Sequence, residues 1–128
     1  MCTLPDQVDM HSRKGRLALT KMVMKLFSLW KITTADQAIL LDRSPGTIRR
    51  YRNGGCFVND SDMFDRVGYL LSIHKALRTL YPYNRTLVYR WVASKNTAFD
   101  GQTALEVMKK GVDGIKKIDH YLGHQMYG

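Results

Sequence analysis

At 128 residues, with 45% hydrophobic and 24% charged side chains, the chain has material for one compact domain or two small subdomains sharing a core, which argues against multidomain enzymology. No apolar run approaches the roughly 20 residues that span a bilayer, so the composition predicts a soluble protein with no membrane partner. The formal charge of +9 is unevenly placed: residues 13–52 hold ten Lys/Arg against Asp36 and Asp42 alone, and the remainder is almost balanced.

Residues 1–15 are read as a flexible arm. Their first twelve lack the basic start and apolar stretch of a secretory leader, which predicts a cytoplasmic protein. Cys2 and Cys56 stand far apart and outside any Cys-x-x-Cys or Cys/His spacing, so neither a disulfide framework nor a metal site is indicated. Apolar residues recur at helical spacing in almost every later segment and strict alternation is missing, which predicts an all-α fold.

A first helix over Arg16–Trp30 carries the stripe Leu19, Met22, Val23, Leu26, Phe27 and Trp30. Thr34, with Gln37 three positions on, has capping-box spacing for a short second helix that buries Ala38 and Leu41. Ser44 followed by Pro45 signals a restart, and a third helix runs from Pro45 to Arg52 and stops at Asn53-Gly54-Gly55.

A longer fourth helix begins near Asp60 or Ser61, packs Met63, Val67, Leu70, Leu71, His74 and Leu77, and ends near Tyr81 before Pro82. A fifth, Arg85–Ala93, carries Leu87, Val88, Trp91 and Val92, and a loop over Ser94–Gly101 follows. Thr103 and Glu106 cap a sixth helix, Ala104–Lys110, that ends at Gly111. The last helix places Val112, Ile115, Ile118 and Leu122 inward, and Gly123 weakens or ends it.

Two short helices joined by a tight turn behind an amphipathic helix form the arrangement of a helix-turn-helix, whose second short helix enters the major groove. With Ile48 and Tyr51 facing inward, Gly46, Arg49, Arg50 and Asn53 turn outward. Arginine bonds a guanine edge bidentately, while Ser44, Thr47 and Arg52, near the helix ends, suit phosphates. The concentrated charge supports nucleic acid as the partner of this segment; the plainer reading is a solvated helix face whose cations suit a helix C-terminus.

Residues 26–55 (LFSLWKITTADQAILLDRSPGTIRRYRNGG) resemble the Xre-type helix-turn-helix of the Xre/MbcA/ParS antitoxin family. Arg66–Leu80 resembles that family's connecting helix, and Trp91, Asn96, Phe99, Gly101, Thr103, Leu105 and Glu106 match its "W...pN..f.G.tPlE" signature in order and spacing. The resemblance spans residues 20–123 and departs at Lys95 and Ala104, where the family usually has proline. It implies a bacterial type II antitoxin with two units: a helix-turn-helix domain over residues 16–82 that binds the operon's promoter DNA, and a toxin-binding domain over residues 83–128 that blocks a RES-domain toxin, an enzyme that degrades NAD. A homodimer within a hetero-oligomeric complex is the expected assembly.

Inhibition of this kind is steric, and the candidates are the outer-face residues Lys116, Lys117, His120 and Tyr121 with the tail His124, Gln125, Met126, Tyr127 and Gly128. The plainer reading of Lys116 and Lys117 is a solvated face. No cofactor or catalytic residue is indicated. His120 and His124 stand at metal-ligand spacing without an accompanying Glu and across Gly123, and no serine or cysteine occupies a nucleophile turn. The rival reading is a stand-alone helix-turn-helix regulator without a toxin partner, which residues 84–128 argue against.

Overall fold

The computed structural model describes residues 9–127, so Cys2 and Gly128 lie outside it. Among the described residues there are seven α-helices: α1 (Arg13–Trp30), α2 (Thr34–Leu41), α3 (Pro45–Arg52), α4 (Ser61–Leu80), α5 (Arg85–Arg90), α6 (Ala104–Met108) and α7 (Val112–Tyr127). Short 3-10 turns occupy Trp91–Ala93 and Thr97–Phe99, and the only strand-like feature described is an isolated Lys95–Thr103 bridge. The fold is all-helical, as the periodicity predicts.

Helix α1 begins three residues earlier than its apolar stripe suggests, inside the segment read as an arm. Ser12 accounts for this: its hydroxyl accepts the Gly15 amide at 3.0 Å and donates to the Asp9 carbonyl at 2.6 Å. Gly15 is buried against the Asp9 backbone, a place with no room for a Cβ. The stripe Leu19, Val23, Leu26, Phe27 and Trp30 is buried as expected, whereas Met22 is half exposed.

The cap of α2 also differs. Thr33, not Thr34, accepts the Asp36 amide, and Gln37 is buried with its amide donating to the Ile32 carbonyl at 2.8 Å. Two adjacent threonines compete for one cap, and the register that wins sends Gln37 into the core to satisfy a loop carbonyl. Helices α1 and α2 both end on a left-handed residue that is not glycine, Lys31 (φ 57°) and Asp42 (φ 55°), each followed by a backbone bond that reaches back to close the last turn.

Helix α4 is the central strut. Its buried residues are Met63, Arg66, Val67, Leu70, Ile73, Ala76 and Leu77, so the predicted inner positions Leu71 and His74 lie only at the margin and Ile73 and Ala76 take their place. One side meets α1 and α2; the other forms the most extensive helix pairing of the fold, with α7. A helix packed on two sides has no single stripe, and this is why periodicity misassigned half a turn of it. Arg66 is buried where α4 crosses α2: its Nε contacts Asp62 at 2.9 Å and its Nη1 donates to the Leu40 carbonyl at 3.1 Å.

Beyond Pro82 the chain folds back through α5, whose predicted last turn is instead the 3-10 turn carrying buried Trp91 and Val92. Helix α6 is a single capped turn shorter than predicted, and left-handed Gly111 (φ 129°) separates it from α7. Helix α7 does not stop at Gly123. It continues to Tyr127, because Met126, one turn after buried Leu122, still packs against the core. A single hydrophobic cluster runs from Leu19 to Leu122 through every helix.

Candidate functional site

The structure places the predicted site residues in two groups. The first is α3. Ser44 caps it, accepting the Thr47 amide at 3.2 Å, and Pro45 occupies its first turn. Ile48 and Tyr51 are fully buried, with Tyr51 packed edge-on against Phe57 at 4.9 Å. Gly46, Arg49, Arg50, Arg52 and Asn53 are exposed, Ser44 is exposed and Thr47 is half-buried with its hydroxyl 3.0 Å from that of Ser44.

The arginines of α3 are not equivalent. Arg52 turns back onto α2, donating to the Thr34 hydroxyl at 3.0 Å. Arg50 lies over the Tyr51 ring, its guanidinium carbon 5.8 Å from the centroid. Arg49 projects from the same surface one position earlier. Part of the positive charge of residues 13–52 is therefore committed internally. Arg43 pairs with Asp60 at 3.3 Å, and Arg16 donates to the Phe57 carbonyl at 2.8 Å. Thr20, buried in α1, accepts the Phe57 amide at 2.9 Å, so Arg16 and Thr20 pin the loop after α3 at both backbone groups of one residue. Lys14, Lys21, Lys25 and Lys31 remain exposed along α1 and its end.

The second group lies on α7. Lys116, Lys117, His120, His124, Gln125 and Tyr127 are exposed, and Tyr127 is 89% accessible. Tyr121 is not on the outer face. Its ring is stacked parallel to Trp91 at 6.3 Å and meets Phe99 edge-on at 5.0 Å, making an aromatic trio with two residues of the signature. Met126 is likewise half-buried rather than free. With the helix unbroken at Gly123, His120 and His124 share one side of α7, at the mouth of a groove floored by Ser72, Ala76 and Thr79 of α4. No cluster of three or more potential metal-ligating side chains occurs among the described residues.

The signature residues hold the platform under α7. Asn96 accepts the Ala98 amide at 2.9 Å, and its own backbone is bonded to Gln102 and Gly101. Asp100 (φ 56°) and Gly101 (φ 82°) turn the chain through left-handed geometry into Thr103. Thr103 accepts the Glu106 amide at 3.0 Å, and the Glu106 carboxylate accepts the Thr103 amide at 2.9 Å. These bonds, led by the one from the Thr103 backbone, hold the Glu106 carboxyl below its usual range.

Two contacts escaped the sequence reading. Lys109 reaches from the end of α6 to Asp36 in the first turn of α2, 2.9 Å away, joining the two halves across 73 positions. On the far side of α4, His74 stacks at 5.6 Å on Tyr89, whose ring also lies under the Arg85 guanidinium at 5.7 Å. Burial, reinforced by Arg78, lowers the pKa of His74. Neither pairing leaves a local spacing signal, because each joins residues that only the fold brings together.

Comparison with known proteins bears on this second half. Residues 76–128 match the model of the Xre/MbcA/ParS antitoxin C-terminal toxin-binding domain. The chain is also 34% identical over 102 residues to the uncharacterized protein y4oB of Sinorhizobium fredii, an alignment that covers 77% of each. No helix among the described residues is long and apolar enough to cross a membrane. The aromatic platform, the capped turn and α7 all lie within the matched region, and this part of the chain belongs to the Xre/MbcA/ParS antitoxin C-terminal toxin-binding domain family.

Proposed function

We propose that this antitoxin inhibits a RES-family, NAD-degrading toxin by laying the last two turns of α7 over its active-site cleft, and that it represses its own operon by setting α3 into the major groove of promoter DNA. The observation that carries the first part is the exposed tail of α7. His120, His124, Gln125 and Tyr127 project from a helix whose opposite side is locked onto α4 and onto Trp91 and Phe99, so a rigid, solvent-facing surface is offered with little ordering cost on binding. Lys116 and Lys117 extend the same surface; Gly128, expected to join the contact, lies outside the described residues. The RES class of the toxin follows from the sequence resemblance.

The second part rests on α3. It is capped by Ser44, anchored by Ile48 and Tyr51, and backed by α2, while Arg49, Arg50 and Asn53 face solvent. A short, anchored helix with outward arginines is what base reading in a major groove requires. Ser44, Thr47 and Arg52 would then lie near phosphates, with Gly46 allowing close approach of the backbone. A homodimer would present two such helices to a two-fold operator. In this division of labour residues 16–82 serve DNA and residues 83–128 serve the toxin.

The experiment is a separation of functions. Arg49→Ala with Arg50→Ala should abolish binding to the chain's own upstream DNA in a gel-shift assay while co-expression still protects cells from the toxin. His124→Ala with Tyr127→Ala should do the reverse. Loss of both activities in either variant would refute the division.

A further inference from the structure

The tail groove has a neighbour. Between the C-terminal half of α4 and the start of α5 lies a cavity of about 680 Å³, lined by Lys75, Arg78 and Arg85 together with the His74–Tyr89 stack. Its lining contains no carboxylate. Residues 66–99 hold six Lys/Arg and no Asp/Glu, and the fold gathers three of those cations around this cavity. Lys75 and Thr79, one turn apart on the exposed side of α4, line both this cavity and the groove under His120, His124 and Tyr127. The two depressions are one continuous surface, and most of the cavity's lining falls within the matched toxin-binding region.

We propose that this basic cavity is the electrostatic anchor of the toxin interface, receiving an acidic segment of the toxin while the α7 tail covers the cleft. The inference rests on the toxin-binding reading above and adds Lys75, Arg78 and Arg85 to it, so the toxin surface reaches back across residue 82 into the end of α4. Two features favour a protein carboxylate. None of the three cations forms an ion pair among the described residues, and the adjoining groove adds only Asp119, so a partner's carboxylates would supply charge that the cavity lacks. The Tyr89 ring already carries His74 stacked on it and the Arg85 guanidinium over it, so its ring contacts are made within the chain, and charge pairing is what the cavity offers. Arg85, placed over Tyr89, has a planar guanidinium suited to a two-pronged bond to a carboxylate.

The test is calorimetric titration of the full chain with an inactivated cognate RES-family toxin, at stepped NaCl concentrations. Wild type should bind with an affinity that falls as salt rises. Lys75→Gln/Arg78→Gln/Arg85→Gln should raise Kd by about tenfold or more at low salt and flatten the salt dependence, and a hexaglutamate peptide should compete with toxin for wild type but not for the variant. His124→Ala/Tyr127→Ala should weaken binding while leaving the salt slope intact. If the triple variant melts early, Lys75→Gln/Arg78→Gln, both exposed, should show the same changes at smaller amplitude. A charge variant with wild-type melting, wild-type Kd and wild-type salt slope overturns the anchor, as does one that loses affinity for DNA instead of toxin. Failure of the wild type itself to bind the toxin would refute the underlying toxin reading, a result distinct from either.

Discussion

Single residues of this chain divide by whether their partners are near in sequence. Thr103 and Glu106 cap each other three positions apart, and such a pair is legible at once. Thr103→Ala should cost about 1 kcal/mol of stability in denaturant melts, the usual worth of a lost N-cap. Gly114 is the opposite case. Nothing local marks it, but it is buried where α7 crosses the Val107 carbonyl, and a Cβ there would collide with backbone. Gly114→Ala should therefore destabilise by more than about 2 kcal/mol, and a melt within about 0.5 kcal/mol of wild type would contradict the packing.

His74 gives a prediction in pH. Burial and Arg78 hold its folded pKa below the ordinary 6.5, so the unfolded chain binds a proton more readily and stability drops as pH falls below about 6.5. His74→Phe, which retains a ring to stack on Tyr89, should flatten the stability profile between about pH 7 and pH 5. An unchanged slope would place the titration elsewhere.

At the scale of elements, a helix start was legible where several cap signals coincide and less so where two residues compete for the cap, as at α2. Ser44-Pro45 identified α3 to the residue because cap, proline and restart coincide. Gly123, expected to weaken or end α7, does not end it, because glycine ends a helix only where the chain also turns left-handed and its apolar pattern ceases. Here the pattern Ile115, Ile118, Leu122, Met126 goes on, and burying Met126 outweighs a glycine penalty of roughly 1 kcal/mol. Tyr121 was misplaced for a related reason: helical spacing fixes direction, not which neighbours come to meet it, and Trp91 and Phe99 arrive from a loop. Because Gly123 lies in open space, Gly123→Ala should stabilise the protein by up to about 1 kcal/mol. Destabilisation would mean that α7 bends there.

For the molecule as a whole, the all-helical class and the outward-facing arginines of α3 were readable, while the joint between the halves was not. Lys109 and Asp36 bridge them at half-exposed positions, and Lys109→Met should cost less than about 1 kcal/mol by melting. The stronger joint is α4, whose one side supports α1 and α2 and whose other side supports α7. Severing the chain in the Pro82–Asn84 loop would leave Ile115, Ile118 and Leu122 facing water. A released tail piece would then clump rather than act as a miniature inhibitor, and any peptide built to imitate it must bring its own substitute for the missing strut.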